Sequence, residues 1–224
     1  MIFTNLSASN YDYSSNFYKT EFEDILSKII SCYNLMLDDH VYLTNSENAI
    51  RDVLLLNYLK NNKVRNKVEL VNYLFDREVP EDIGVGRTDI KIQTINTFSD
   101  TSAYYTIECK RLDSTNLNGI TGLNAKYIEN GICRFISKTY SSYYKINGMI
   151  GFVVQEVDIH DNIKSINSLL KDTFTSANTT KQIEKRNIRS DFKYCYCSTH
   201  GEPNEEILIY HLMLDFTKNI FDKI

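Results

Sequence analysis

The stretch that most restricts the fold is GRTDIKIQTINTFSDTSAYYTIECKRL, from Gly86 to Leu112. Its two runs TDIKIQT and AYYTIECKRL alternate apolar and polar residues, the period of two that marks a strand with one covered face. Between them NTFSDTS supplies Asn, Ser and Asp, residues that favour a turn. Antiparallel pairing about that turn has few acceptable registers, because a slip of one residue throws every apolar side chain onto the wrong face. Aligning Ile90 with Ile107 and Ile92 with Tyr105 matches the apolar positions. The same alignment sets Asp89 against Glu108 and Lys91 against Thr106.

Directly opposed strand residues have Cβ atoms about 5 Å apart, so two carboxylates there repel unless a cation lies between them. Lys110 shares the face of Glu108, but a single ammonium is a poor match for two partly buried acids. A hard divalent ion suits them better: Mg²⁺ takes one or two carboxylates plus waters and leaves room for phosphate oxygens. Such an ion activates bound water, and a neighbouring lysine can orient or deprotonate it. A surface hairpin with merely solvated charges is the competing reading of the same spacing.

A chain of 224 residues with 42% hydrophobic content can bury a real core, and its length suits one domain. A net charge of −4 argues against coating nucleic acid or an anionic membrane by overall charge, so a polyanion would have to be met locally. No segment approaches the roughly 20 apolar residues of a membrane span, and the start, MIFTNLSASNYDYSSN, lacks the order of a signal peptide. Five cysteines at irregular spacing then read as reduced thiols, and the expected location is the cytoplasm. Cys195, Cys197 and His200 could supply three zinc ligands, but no second ligand pair follows and ordinary strand cysteines are the preferred reading.

Helical spacing of Phe22, Ile25, Leu26, Ile29, Ile30 and Tyr33 predicts an amphipathic first helix. TNSENAIRDVLLLNYLKNN predicts a second, largely buried helix opened by a capping box from Thr44 to Glu47. LFDREV reads as a strand that ends near Pro80, Gly84 and Gly86. After the hairpin come a helix carrying Tyr127, Ile128, Ile132, Phe135 and Ile136, the buried strand GMIGFVVQEV, and a further helix DNIKSINSLLKDTF. TSANTTKQIEKRNIRSD reads as a polar loop or helix end, and KYCYCSTH and EEILIYHLMLDF as two last strands about the turn HGEPN. The expected class is α/β or α+β with a central mixed sheet flanked by helices, in a single domain. Residues 1–43 form an N-terminal helical extension, 44–157 the core, and 158–224 a C-terminal helix and strands.

From Ser46 to Val157 these residues resemble the PD-(D/E)XK nuclease superfamily, with its restriction-endonuclease-like core of helix, three strands, helix and strand. The resemblance is carried by GVGRTDI with Asp89 and by IECK with Glu108 and Lys110, behind a helix starting at Glu47. Thr88 stands where the superfamily commonly has Pro, a departure that removes no ligand. The resemblance implies that Asp89, Glu108 and the backbone carbonyl of Cys109 bind Mg²⁺, with Mn²⁺ as a substitute. It implies that Lys110 positions or activates the attacking water and that Glu47 is a helix acid beside the metal, although Glu47 fits a capping box nearly as well.

Arg87 and Arg111 flank the motif, and Arg134 lies on the following helix, which in this superfamily commonly faces nucleic acid. These three, with His200, are the candidate nucleic-acid contacts; each also reads as an ordinary surface or turn residue. Lys181, Lys185, Arg186 and Arg189 are preferred as a soluble face. The expected activity is a Mg²⁺-dependent endonuclease acting on DNA, with restriction or anti-phage defence as the role suggested by analogy alone. A homodimer or a regulatory partner would suit such an enzyme, and no membrane is expected. The alternatives are a non-catalytic nucleic-acid-binding or assembly protein on the same fold, and an RNase.

Overall fold

The architecture was obtained as a computed structural model that describes residues 14–80, 87–137 and 142–221. Residues 1–13, and Gly84 and Gly86 before Asp89, lie outside the described residues. Seven strands form one mixed sheet in the order β1-β2-β3-β4-β7-β6-β5. They are β1 (Leu74–Pro80), β2 (Arg87–Gln93), β3 (Tyr104–Leu112), β4 (Ile146–Val153), β5 (Thr179–Lys185), β6 (Cys195–His200) and β7 (Ile207–Asp215). β3 and β4 run parallel, as do β4 and β7, while the flanking pairs are antiparallel.

Helices cover both faces. On one side lie α1 (Ser14–Asp38) and α2 (Glu47–Asp52), the latter continued by a π-helical segment (Val53–Leu59). Phe22, Ile25 and Ile29 of α1 and Ile50 and Leu54 of the second helix are fully buried there with Ile90, Ile107, Ile150 and Leu212 of the sheet. On the other side α4 (Leu123–Tyr127) runs through a π segment (Ile128–Ile132) into α5 (Cys133–Ile136). With α6 (Ile159–Asp172) it packs Ile132, Phe135 and Ile166 onto Met149, Ile209 and Met213. Asp158 caps α6 by accepting the amide of Asp161 at 2.9 Å, and Asn61 caps the short α3 (Asn62–Lys67) in the same way. No described helix is long and apolar enough to cross a membrane.

Of the segments that the sequence sets outside a core of residues 44–157, α1 packs on the sheet and the C-terminal strands are part of it. α1 supplies much of one apolar layer, and β7 pairs with β4 along its whole length, from Ile146 with Leu208 to Val153 with Asp215. β4 is buried at all eight positions, as a strand covered on both faces must be.

One element departs from expectation. Thr179–Lys185, read as loop or helix end, is the edge strand β5. Only Ile183 along it is buried, and its pairing with β6 shifts register twice, so neither alternation nor an apolar run advertises it. Exposed, charged and bulged, it has the features that keep a sheet edge from pairing with other chains.

Candidate active site

The second helix brings two charged side chains to one place. Its N-cap is Ser46, which makes no side-chain capping bond, so the box expected from Thr44 to Glu47 does not form. Glu47 instead reaches β3: Oε1 accepts from Lys110 Nζ at 3.1 Å, and Oε2 accepts from the amide of Arg111 at 3.2 Å. Arg51 stands one helical turn on, and residues four apart share a helix face. It is 2% exposed, and its Nη1 donates to Asp89 Oδ1 at 2.8 Å. Its Nε and Nη2 both donate to Asp52 Oδ1, at 3.1 and 3.0 Å, while Asp52 Oδ2 accepts from Arg77 on β1.

The hairpin takes the register that hydrophobic matching requires, with Ile90 opposite Ile107, Lys91 opposite Thr106 and Ile92 opposite Tyr105. Regular pairing stops at Ile90 and Ile107. Beyond that point the Asp89 carboxylate takes up the free strand amide: Oδ2 accepts from Cys109 N at 2.8 Å. Glu108, buried on β3, accepts from Lys110 Nζ at 2.7 Å. That amine also donates to the Cys109 carbonyl at 2.7 Å and lies 3.8 Å from Asp89 Oδ2. Four oxygens, from Glu108, Cys109, Glu47 and Asp89, therefore surround a single point at the end of β3, and the Lys110 ammonium holds it.

Arg134 closes the other side, its Nη1 donating to Glu108 Oε1 at 3.1 Å. A close helix approach makes this contact possible. At Gly131 an added Cβ would lie 2.3 Å from Met149 Cε, so a larger residue there would have to displace that flexible methyl, and the helix sits low over β4 and the Lys110 stem.

The electrostatics differ from what spacing alone suggested. Asp89 is paired with Arg51, and Glu108 with both Lys110 and Arg134, so side chains meet the need for positive charge that the hairpin appeared to pass to a metal ion. Burial pulls the Lys110 ammonium down, but the charges of Glu108, Asp89 and Glu47 outweigh it and hold its pKa above the ordinary 10.5. Lys110 is therefore a charged hydrogen-bond donor near neutral pH. Burial, reinforced by Asp89, pushes the Cys109 thiol well above its ordinary value, so this residue offers the site its main-chain carbonyl and no nucleophile.

The remaining candidates separate. Arg87 is exposed at the start of β2, two residues before Asp89 on the same strand face. Arg111 is occupied, donating through Nη1 to the carbonyl and side chain of Asn45 at 2.9 and 2.6 Å, and so ties β3 to the approach to α2. His200 is a correction. It is fully buried, bonded to Ser198 at 2.7 Å and to the Ala177 carbonyl at 3.0 Å, and so cannot meet a polyanion. These contacts also take it away from Cys195 and Cys197. Tyr127 is more than packing, since its hydroxyl bonds His211 Nδ1 at 2.8 Å.

Among the described residues no group of three or more His, Cys, Asp or Glu side chains is arranged to hold a metal ion. The oxygens that meet at the Lys110 amine, from Glu108, Asp89, Glu47 and the Cys109 carbonyl, are all hard donors of the kind Mg²⁺ accepts. No protein-family model matches the chain, and no curated protein or solved structure does so either.

Proposed function

We propose that the protein is a Mg²⁺-dependent endonuclease that hydrolyses phosphodiester bonds in DNA. One observation carries the reading: the oxygens of Glu108, Cys109, Glu47 and Asp89 gather around the Lys110 amine, at a strand end rimmed by half-exposed Glu47 and Arg134. The order of helix, three strands, helix and strand from α2 to β4 agrees with the PD-(D/E)XK resemblance of the sequence motif.

In this reading Asp89, Glu108 and the Cys109 carbonyl hold the ion. A bound Mg²⁺ supplies a more acidic water and charge compensation for the attacked phosphate. Lys110 donates hydrogen bonds that orient the attacking oxygen and stabilise developing negative charge. Glu47 holds the lysine in line and its second oxygen fixes the β3 backbone. Arg134, with its side chain 40% exposed, presents a guanidinium to a phosphate oxygen beside the same point.

The test is incubation with duplex DNA, single-stranded DNA and single-stranded RNA, with Mg²⁺, Mn²⁺ or chelator, for wild type, Glu108→Ala and Lys110→Ala. Metal-dependent DNA cleavage lost in both variants is expected. Full cleavage by both variants ends the assignment, and cleavage of RNA alone turns the same site into an RNase. The pairing of each acid with its own cation favours one rival, a closed salt-bridge network in a non-catalytic binding or assembly protein. Calorimetry with Mn²⁺ separates the two, because the rival binds no metal at Asp89.

A further inference from the structure

Arg51 is a residue that no motif nominates, yet it holds the acid that the chemistry needs fixed. The β2–β3 ladder ends at Ile90 and Ile107, so pairing with β1 holds the Asp89 backbone but no pairing with β3 fixes its carboxylate against that strand. Two bonds do so instead, one on each oxygen: Arg51 Nη1 on Oδ1 and the Cys109 amide on Oδ2, both at 2.8 Å. With each oxygen held by its own donor the carboxylate cannot spin, and Oδ2 remains the oxygen facing the Lys110 amine at 3.8 Å. Arg51 is itself clamped from behind, because Nε and Nη2 both grip Asp52 Oδ1.

We propose that Arg51 is the positioning residue of this site, a buried guanidinium fork that turns one Asp89 oxygen toward the cation cage and keeps it there. The proposal rests on the nuclease reading above. Arg51 touches no reacting atom and acts through Asp89. Only a planar fork can serve Asp52 with two nitrogens and Asp89 with a third; a lysine ammonium keeps the charge but not this geometry. That difference separates positioning from simple charge. A guanidinium acting by charge alone would repel an incoming cation, so its neutral replacement would tighten metal binding. A guanidinium acting by geometry weakens metal binding when lost, whatever the charge of its replacement.

The experiment combines Mn²⁺ calorimetry with duplex-DNA cleavage across Mg²⁺ concentration for wild type, Arg51→Lys, Arg51→Gln, Asp89→Asn and the double variant Arg51→Gln with Asp89→Asn. Arg51→Lys and Arg51→Gln should each raise the metal half-saturation about 10-fold or more, as loss of an outer-shell partner does. Their KM for DNA should stay unchanged. Asp89→Asn should lose metal binding, and adding Arg51→Gln to it should change nothing further. Asp52→Asn, which loosens the fork from behind, should move metal affinity the same way by a smaller factor and carries the test if Arg51→Gln does not fold.

Wild-type half-saturation in both Arg51 variants of an active enzyme removes the proposal and leaves the nuclease reading standing. Tighter metal in Arg51→Gln with no change in Arg51→Lys also overturns it, in favour of charge. Losses that simply track the folded fraction by thermal midpoint, additive with Asp89→Asn, reduce Arg51 to a structural residue. A wild type that neither binds metal nor cleaves sinks both readings together.

Discussion

Two regions of this molecule bury polar side chains against the same sheet by opposite means. At the end of β3, Arg51, Asp89, Lys110, Glu108 and Arg134 alternate in charge, reach toward one point and open at a half-exposed rim. Across β6 and β7 a chain of neutral groups runs from Tyr127 through His211, Ser198 and His200 to the Ala177 carbonyl, in steps of 2.8, 2.8, 2.7 and 3.0 Å. All four side chains are at most 1% exposed. The direction of this chain follows from its far end. A carbonyl only accepts, so His200 Nδ1 carries the proton and its Nε2 must accept from Ser198; His211 Nε2 then donates to Ser198, and its Nδ1 accepts from Tyr127. Every hydrogen along the chain then has an acceptor. Such a chain specifies a packing arrangement, whereas the charged cluster retains a convergent set of donors at a surface, the arrangement suited to a ligand.

If the division is right, substitutions in the two regions should split activity from stability. The largest effect belongs to Glu108→Ala: loss of DNA cleavage on the order of 10²–10³-fold or more. Its stability should change modestly, because Lys110 keeps Glu47 and the Cys109 carbonyl. Ser198→Ala should do the reverse. It strands an acceptor on His200 and a donor on His211, each worth roughly 1–3 kcal/mol when buried unpaired, and should leave cleavage per folded molecule unchanged. Urea midpoints and cleavage rates on the same preparations check both. A Ser198→Ala protein of normal stability that no longer cleaves would erase the distinction.

How far each region could be read from the chain follows the same divide. Asp89, Glu108 and Lys110 were legible because the period of two and the hydrophobic register are local, and the structure keeps that register. Glu47 was nominated by the family resemblance, and its capping-box alternative rested on Thr44, whereas the cap is Ser46. Arg51 was missed since one arginine in a charged stretch looks solvated; its spacing of four from Glu47 in ENAIRD was the available signal. His200 was misplaced because it opens the turn signal HGEPN. Its parity with Tyr196 and Ser198 in β6, all three buried, pointed inward. The partner of that chain, His211, is set by the pairing of β6 with β7, and the placement of β7 beside β4 is a long-range choice that no local pattern carries.

Acid should find the neutral chain first. Burial lowers the His200 pKa from 6.5 to about 4 and pushes His211 well below 6.5. Above pH 6.5 neither folded nor unfolded protein binds these protons and stability carries no penalty. As pH falls through 6.5 the unfolded chain protonates while the folded chain resists, and the deficit from His200 grows to about 3 kcal/mol as pH reaches its folded value. Urea unfolding of wild type between pH 7 and 4, set against His200→Gln, isolates this contribution from that of the carboxylates. The variant should lose stability with a shallower slope over that interval, and equal slopes would mean that His200 takes up its proton as readily folded as unfolded.

The smallest effect tests the direction of the chain itself. Thr179 Oγ1 lies 3.2 Å from His200 Nδ1, slightly farther than the Ala177 carbonyl at 3.0 Å. If Nδ1 carries the proton, the threonine can only share it as a second acceptor, and its half-buried hydroxyl has water as an alternative. Thr179→Val should then cost no more than about 0.5 kcal/mol, the low end for a hydrogen bond with a remaining partner. If the imidazole were turned to the other tautomer, Nδ1 would face the Ala177 carbonyl with a lone pair and depend on the Thr179 hydroxyl for its only donor. The same substitution would then strand it at a cost of roughly 1–3 kcal/mol. Ring nitrogen shifts by NMR report the tautomer directly, so stability and spectroscopy must agree: a protonated Nδ1 with a near-neutral Thr179→Val, or an unprotonated Nδ1 with a costly one.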